Sequence, residues 1–68
     1  MKSVTGKRLA KLAEDKGWHL ARINGSHHIF TMDGRSERLV IPIHSNQTLK
    51  TGLQHSLMKL IPVTEDEL

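Results

Sequence analysis

Residues 18–43 decide the fold and read WHLARINGSHHIFTMDGRSERLVIPI. Apolar and polar side chains alternate here with a period of two, which is typical of β-strands. Asn24-Gly25 is a strong hairpin signal, and Asp33-Gly34 begins a second turn. The pattern therefore predicts a three-stranded antiparallel meander with strands over residues 18–23, 26–32 and 37–43.

The segments on either side of the meander have helical spacing. Thr5 can cap a helix over residues 4–16 whose apolar stripe begins at Leu9, and Gly17 can end it in the left-handed conformation. After the polar residues 45–48, leucines spaced along one helix face predict a second helix that Pro62 ends.

These elements together predict an α+β fold of order α-β-β-β-α, with both helices covering one face of the sheet. The 68 residues fit a single domain over residues 1–68. Its last part, residues 62–68, is an acidic tail or a short helical turn, because Thr64 and Glu67 have the spacing of a capping box.

Composition excludes several classes of protein. The chain has no cysteine, so it has neither a disulfide framework nor a thiolate metal site. No apolar run approaches the roughly 20 residues of a membrane span, and residues 1–17 lack the apolar block of a signal peptide. We therefore expect a globular cytoplasmic domain without a membrane partner.

Positive charge is concentrated in residues 1–59, which hold all ten Lys and Arg against four acids, a balance of +6. The other three acids are Glu65, Asp66 and Glu67. This asymmetry favours a polyanionic partner, either nucleic acid or an acidic protein surface. The alternative is a charged surface that only confers solubility.

Strand alternation separates two faces of the predicted sheet. If Asn24-Gly25 is a two-residue turn, Arg22 lies opposite His27. One face then gathers cations and two histidines: Arg22, His27, Arg38 and His44. The other face is mostly apolar and suited to receive the helices: it includes His28, Phe30, Leu39 and Ile41.

Trp18 and Leu20 fall on the cationic face in this register. A β-bulge would move them; otherwise they form an apolar contact patch for a protein or for stacked bases. Pro42 cannot donate a backbone hydrogen bond, so it indicates an edge strand or a strand end.

Histidines are the candidate chemical groups. His27 and His28 directly follow the tight turn, where a hairpin holds them within reach of solvent. Imidazole ordinarily titrates near neutral pH, so it can act as an acid or a base. RNA cleavage by the 2′-hydroxyl needs a base to take the hydroxyl proton and cations, such as Arg22 and Arg38, to hold the phosphate. Ser26 or the backbone N–H groups of the turn can add donors.

Two other interpretations of the histidines remain. In the first, the histidines are ordinary surface or half-buried residues, which suits His19, His28 and His55 well. A metal site would use His27, His44 and a carboxylate, but the sequence has no HExxH or similar spacing, so we expect no metal and no other cofactor.

Three motifs carry a resemblance to a known family. They are residues 25–30 (GSHHIF) after Arg22, residues 41–44 (IPIH), and residues 51–59 (TGLQHSLMK). With this order of elements, nearly the whole chain resembles the HicA family of bacterial and archaeal toxins. The resemblance implies a double-stranded-RNA-binding-domain-like fold, metal-independent mRNA endoribonuclease activity, a role in stress response and neutralisation by a HicB-type antitoxin.

The resemblance also assigns the catalytic residue. The family's catalytic histidine maps to His27, with His28 as the alternative, because some members carry it one place later. Alternation favours His27, since His28 shares a face with Phe30. The residues expected to bind RNA are Arg22, Gly25, Ser26, Arg38, His44, Lys7, Arg8 and Lys11.

The alternative function is a non-catalytic RNA-binding module of the same fold, which holds RNA with Arg22, Arg38 and the N-terminal Lys/Arg cluster. In either case we expect the antitoxin to cover the cationic face and to contact Trp18, Arg22 or Arg38.

Overall fold

A computed structural model describes residues 2–68; Met1 of the predicted domain lies outside the described residues. The elements are α1 (Gly6–Asp15), β1 (His19–Asn24), β2 (His27–Thr31), β3 (Leu39–Pro42), α2 (Thr51–Leu60) and a C-terminal 3-10 helix (Glu65–Glu67). The three strands form one antiparallel sheet in the order β1-β2-β3. The predicted α+β fold and its order of elements are confirmed.

Local signals set the ends of several elements. The Oγ1 atom of Thr5 accepts a hydrogen bond of 3.0 Å from the Arg8 N–H, which caps α1. Gly17 has a φ of 102°, the left-handed conformation expected after the helix. β3 is an edge strand and ends at Pro42. Proline fits this position because it has no N–H to donate to the sheet.

The hydrophobic core lies between the two helices and one face of the sheet. From the sheet it receives Phe30, Leu39 and Ile41, and from α1 it receives Leu9 and Ala13, all fully or almost fully buried. Each large apolar side chain so buried contributes about 1.5–3 kcal/mol. The opposite face of the sheet is left uncovered by the helices.

The hairpin turn lies one residue later than predicted. Asn24 pairs with His27, so Gly25 and Ser26 form the turn, and the φ of 62° at Gly25 is typical of a type II′ turn with glycine first. Arg22 consequently lies opposite Ile29 and not opposite His27. The shift is of two positions in the pairing, so the faces near the turn are as predicted.

A β-bulge at Ala21 corrects the placement of the residues before it. The pairing passes from Arg22–Ile29 to Leu20–Phe30, so Ala21 is the extra residue and the residues before it change faces. Trp18 is therefore 1% exposed in the core, and its Nε1 donates a 2.9 Å hydrogen bond to the Ile61 carbonyl oxygen. Of the two alternatives for Trp18, the β-bulge is confirmed, and the buried indole is not exposed for contact with the antitoxin.

The second helix begins later than its apolar pattern suggests. Leu49 precedes α2 in an extended segment, and its N–H donates to the Val4 carbonyl oxygen at 2.9 Å. Thr48 forms a bridge with Thr5 in the same place. Leu49 is buried by this contact with the N-terminal segment, which is not visible in helical periodicity.

Gln54 is the buried polar side chain of the described residues, at 1% exposure. Its Oε1 accepts from the Val4 N–H at 3.1 Å, and its Nε2 donates to the Lys2 carbonyl oxygen at 2.6 Å. The amide thereby supplies hydrogen-bond partners to two backbone groups of the extended N-terminal segment.

The acidic tail folds into the predicted helical turn and packs on α1. Thr64 and Glu67 form a capping box, with the Thr64 N–H 3.1 Å from Glu67 Oε1. Glu67 also pairs with Lys16 at 2.6 Å, and its carbonyl oxygen accepts from Arg8 Nη2 at 3.4 Å. The hydrogen bond from Lys16 holds the pKa of Glu67 below its ordinary value.

Within residues 2–68, no helix has the length and apolar character needed to cross a membrane.

Candidate nucleic-acid interface

The uncovered face of the sheet, which we call the open face, carries the candidate site. Two rows of paired residues cross it: Asn24–His27–Pro42 at the turn end, and Arg22–Ile29–Val40 next to it. Paired residues in an antiparallel sheet have Cα atoms about 4.5–5.5 Å apart. These two rows place His27 and Arg22 beside apolar surface, and the pairing of His19 with Thr31 puts His19 on the same face, although the predicted register had it on the other.

His27 begins β2 and follows directly after the Gly25-Ser26 turn. It is exposed, and none of the described residues hydrogen-bonds its imidazole. Its strand position is fixed by neighbours on both sides, Asn24 and Pro42. The imidazole is thus carried by a rigid element and is exposed to a ligand.

His28 points to the other side of the sheet. It lies opposite Ile23 and Ile41, shares the face of Phe30, and is only partly exposed. The structure therefore separates the two adjacent histidines, with one on the open face and one beside the core.

The two arginines lie at different distances from His27. Arg22 is diagonal to His27, which places their Cα atoms about 7–8 Å apart, within reach of the long arginine side chain. Arg38 is exposed just before β3, near the other end of β2, about 13 Å along the strand from His27. A phosphate at His27 can be reached by Arg22, whereas Arg38 can reach a different phosphate.

The Gly25-Ser26 turn is attached to the segment after β3. The Ile43 N–H donates a 2.8 Å hydrogen bond to the Ser26 carbonyl oxygen. This bond continues the ladder past Pro42 and carries the next residue, His44, to the same end of the sheet as His27. His44 is exposed there.

The basic residues of α1 are exposed but lie in the layer behind the sheet. Lys11 pairs with Asp15 at 3.6 Å, and Arg8 contacts the tail. Gly6, the chain neighbour of Lys7, lies against the end of β3, because a Cβ at Gly6 would overlap the Pro42 carbonyl oxygen. The structure does not bring Arg8 and Lys11 together with His27.

A cavity of about 410 Å³, which we call the β3–α2 cavity, opens beside this site. It is lined by Pro42, His44, residues 47–49, Lys50 and Leu53. Pro42 is the direct pairing partner of His27, so the cavity adjoins the candidate catalytic residue.

Sequence reasoning missed three residues of this region. The Asn24-Gly25 signal predicts Asn24 in the turn, whereas the type II′ turn at Gly25-Ser26 places it in the strand opposite His27. Gln47 and Lys50 had no signal in the sequence, because only the docking of residues 48–49 on the N-terminal segment brings them to the end of β3.

Across residues 2–68, no three or more His, Asp or Glu side chains form a group that could hold a metal ion.

Fold and site define a small α+β domain whose sheet is covered by helices on one side and carries an exposed histidine on the other. The family model described as the HicA toxin of bacterial toxin-antitoxin systems matches residues 6–61. The chain belongs to the HicA toxin family, as the sequence motifs indicated, and the family makes it a toxin with an antitoxin partner. No curated protein matches the chain.

Proposed function

We propose that this HicA-family toxin is an endoribonuclease that cleaves mRNA, that His27 acts as the general base or acid, and that a HicB-type antitoxin neutralises it. The observation that carries the proposal is the position of His27, exposed on a rigid hairpin at the open face and without a hydrogen-bond partner among the described residues.

RNA carries its own nucleophile, which limits what the protein must supply. A base takes the proton of the 2′-hydroxyl, the 2′-oxygen attacks the neighbouring phosphorus, and the bond to the 5′-oxygen breaks. The products are a 2′,3′-cyclic phosphate and a 5′-hydroxyl, after the 5′-oxygen gains a proton. Positioned acid–base groups contribute about 10²–10⁴-fold to such steps.

Cations near His27 support the same reaction. Arg22 is near enough to hold the scissile phosphate and to offset charge that develops on its oxygens. Gly25 and Ser26 form the turn beside His27, where backbone N–H groups or the Ser26 hydroxyl can donate to the phosphate. Arg38 and His44 would contact the RNA further along, whereas Lys7, Arg8 and Lys11 in the helix layer would contact only RNA that extends past the edge of the sheet.

The open face also suits an inhibitor protein. Val40 is 39% exposed there beside the partly exposed Ile29, and Arg22 and His27 flank these apolar side chains. Apolar contacts supply anchors, while an acidic surface is attracted to the flanking cations. We propose that the HicB-type antitoxin covers this face and thereby occludes His27.

Induction of the wild type, His27→Ala and His28→Ala in cells, followed by sequencing of the 5′ ends of cleaved mRNA, tests the proposal. The wild type should arrest growth and generate new 5′ ends, and His27→Ala should lose at least about 10²-fold in cleavage. His28→Ala should retain cleavage. Thermal melting of each purified protein shows whether it is folded.

Full cleavage by folded His27→Ala overturns the assignment of the base. Loss of cleavage only in folded His28→Ala transfers the role to that residue. A wild type that binds RNA without cleaving it supports the non-catalytic RNA-binding module instead.

A further inference from the structure

The β3–α2 cavity is lined by the cross-strand partner of His27. Pro42 lines it and pairs directly with His27, so a ligand in the cavity is adjacent to a phosphate at the imidazole. Its volume of about 410 Å³ lies near the lower end of the range of about 300–1,000 Å³ for small-ligand pockets. The cavity can therefore take one nucleoside of a strand and not a folded duplex.

Backbone contacts fix the far wall of the cavity. The Gln47 N–H donates to the His44 carbonyl oxygen at 2.9 Å, which closes a tight turn in which Ser45 has a φ of 52°. The following residues are held by the Thr5–Thr48 bridge. The backbone of this wall is consequently already ordered, and a ligand would not have to order it.

The chemistry of the lining matches a nucleotide. Leu53 is 40% exposed and, with Pro42, offers apolar surface to the face of a base. The Gln47 amide has both donor and acceptor atoms for a base edge, and the His44 ring is planar and can stack. Lys50 supplies a positive charge for a phosphate.

We propose that the β3–α2 cavity is a nucleoside-binding subsite, which holds one base of single-stranded RNA next to the phosphate at His27. Gln47 reads the edge of this base and Lys50 contacts an adjoining phosphate, so Gln47 sets a nucleotide preference near the cleavage position. The inference rests on the proposed function for the identification of the ligand as RNA, but it does not depend on cleavage of that RNA.

Binding of fluorescein-labelled single-stranded RNA hexamers, followed by anisotropy, tests the subsite without turnover. The four homopolymers and a random pool are titrated into His27→Ala protein, alone and combined with Gln47→Ala, Lys50→Ala or Lys59→Ala. Lys50→Ala should weaken binding roughly tenfold, and Gln47→Ala should weaken the preferred homopolymer roughly fivefold while reducing the preference. Lys59→Ala, which removes the same charge from the other end of α2, should change binding less than about twofold.

The second arm uses the protein with His27 intact and maps cut sites in a long RNA. Gln47→Ala should change the nucleotide composition at one position beside the cut. If the wild type cleaves nothing but hexamer binding depends on Gln47 and Lys50, the ribonuclease proposal fails and the subsite stands.

Unchanged hexamer binding and unchanged cut sites in both cavity variants overturn the subsite, whether or not the protein cleaves RNA. Loss of affinity for a HicB-type antitoxin, without loss of affinity for the hexamers, also overturns it. In that case the cavity is a protein contact.

Discussion

The indole Nε1 of Trp18 donates a hydrogen bond of 2.9 Å to the carbonyl oxygen of Ile61, and this bond joins the start of the sheet to the end of α2. The bulge at Ala21 makes the bond possible, because it rotates Trp18 from the open face into the core. Arg35 covers the outer side of the ring, with its guanidinium carbon 5.2 Å from the ring centroid. Trp18 is therefore a structural anchor.

Replacement of Trp18 by Phe should destabilise the domain. The Ile61 carbonyl oxygen loses its indole partner, which costs about 1–3 kcal/mol in the free energy of unfolding, and the smaller ring leaves a void. Urea denaturation followed by circular dichroism measures this loss. Leu20→Ala, at a 45% exposed position in β1, should change stability by less than about 1 kcal/mol; an equal effect of both variants would contradict the role of the indole.

Gly6→Ala should destabilise the packing of α1 on β3. A Cβ at this position overlaps the Pro42 carbonyl oxygen, and backbone must move to admit it, at a cost of about 1–3 kcal/mol. Gly52→Ala is the matched control, since a Cβ meets open space there and alanine favours a helix by about 0.5–1 kcal/mol. Thermal melting should therefore shift in opposite directions for the two variants, and a stabilised Gly6→Ala protein would show that the contact is not tight.

Arg22→Ala and Arg38→Ala should each weaken RNA binding for all sequences and reduce the salt slope by about one. Arg22 is diagonal to His27, so Arg22→Ala should also lower kcat, whereas Arg38→Ala should mainly raise KM. Titrations at several salt concentrations and steady-state cleavage assays measure these effects. Unchanged slopes in both variants would remove the open face from the RNA interface.

Glu67→Gln should reduce the acid sensitivity of the fold. Lys16 lowers the pKa of Glu67 in the folded protein, so this pair stabilises the fold fully above the ordinary glutamate pKa of about 4.3 and ceases to do so as the pH falls through the lower folded-state pKa. Urea midpoints between about pH 3 and 7 should fall less steeply in the variant. Asp66→Asn, which removes the same charge from the same turn, should keep the wild-type pH dependence; identical curves for Glu67→Gln and the wild type would exclude the contribution of the pair.

A photo-crosslinker at position 22 or 38 should capture the HicB-type antitoxin, because we place the inhibitor on the open face. Positions 11 and 56 are the controls, since Lys11 and Ser56 are exposed on the helices behind the sheet. Adducts formed only from the helices would show that the antitoxin acts without covering His27.

The sequence by itself determined the order of elements and the side of the sheet on which His27 lies. Period-two alternation, the Thr5 cap, Gly17 and the Thr64–Glu67 capping box are interactions between residues close in the chain, so their geometry follows from local rules. A shift of two positions in the hairpin register does not exchange the faces of the strands. Arg22 and His27 therefore share a face, as predicted, although the turn lies at Gly25-Ser26 and not at Asn24-Gly25.

Only the tertiary structure decided which residues surround His27. The bulge at Ala21 allows Trp18 to be buried against Ile61, which is 43 positions away in the chain. No local preference encodes such a contact. The β3–α2 cavity likewise depends on Thr48 pairing with Thr5. Contacts between distant segments set register and pocket shape, because the free energy of core packing outweighs the small differences among local turn and strand geometries.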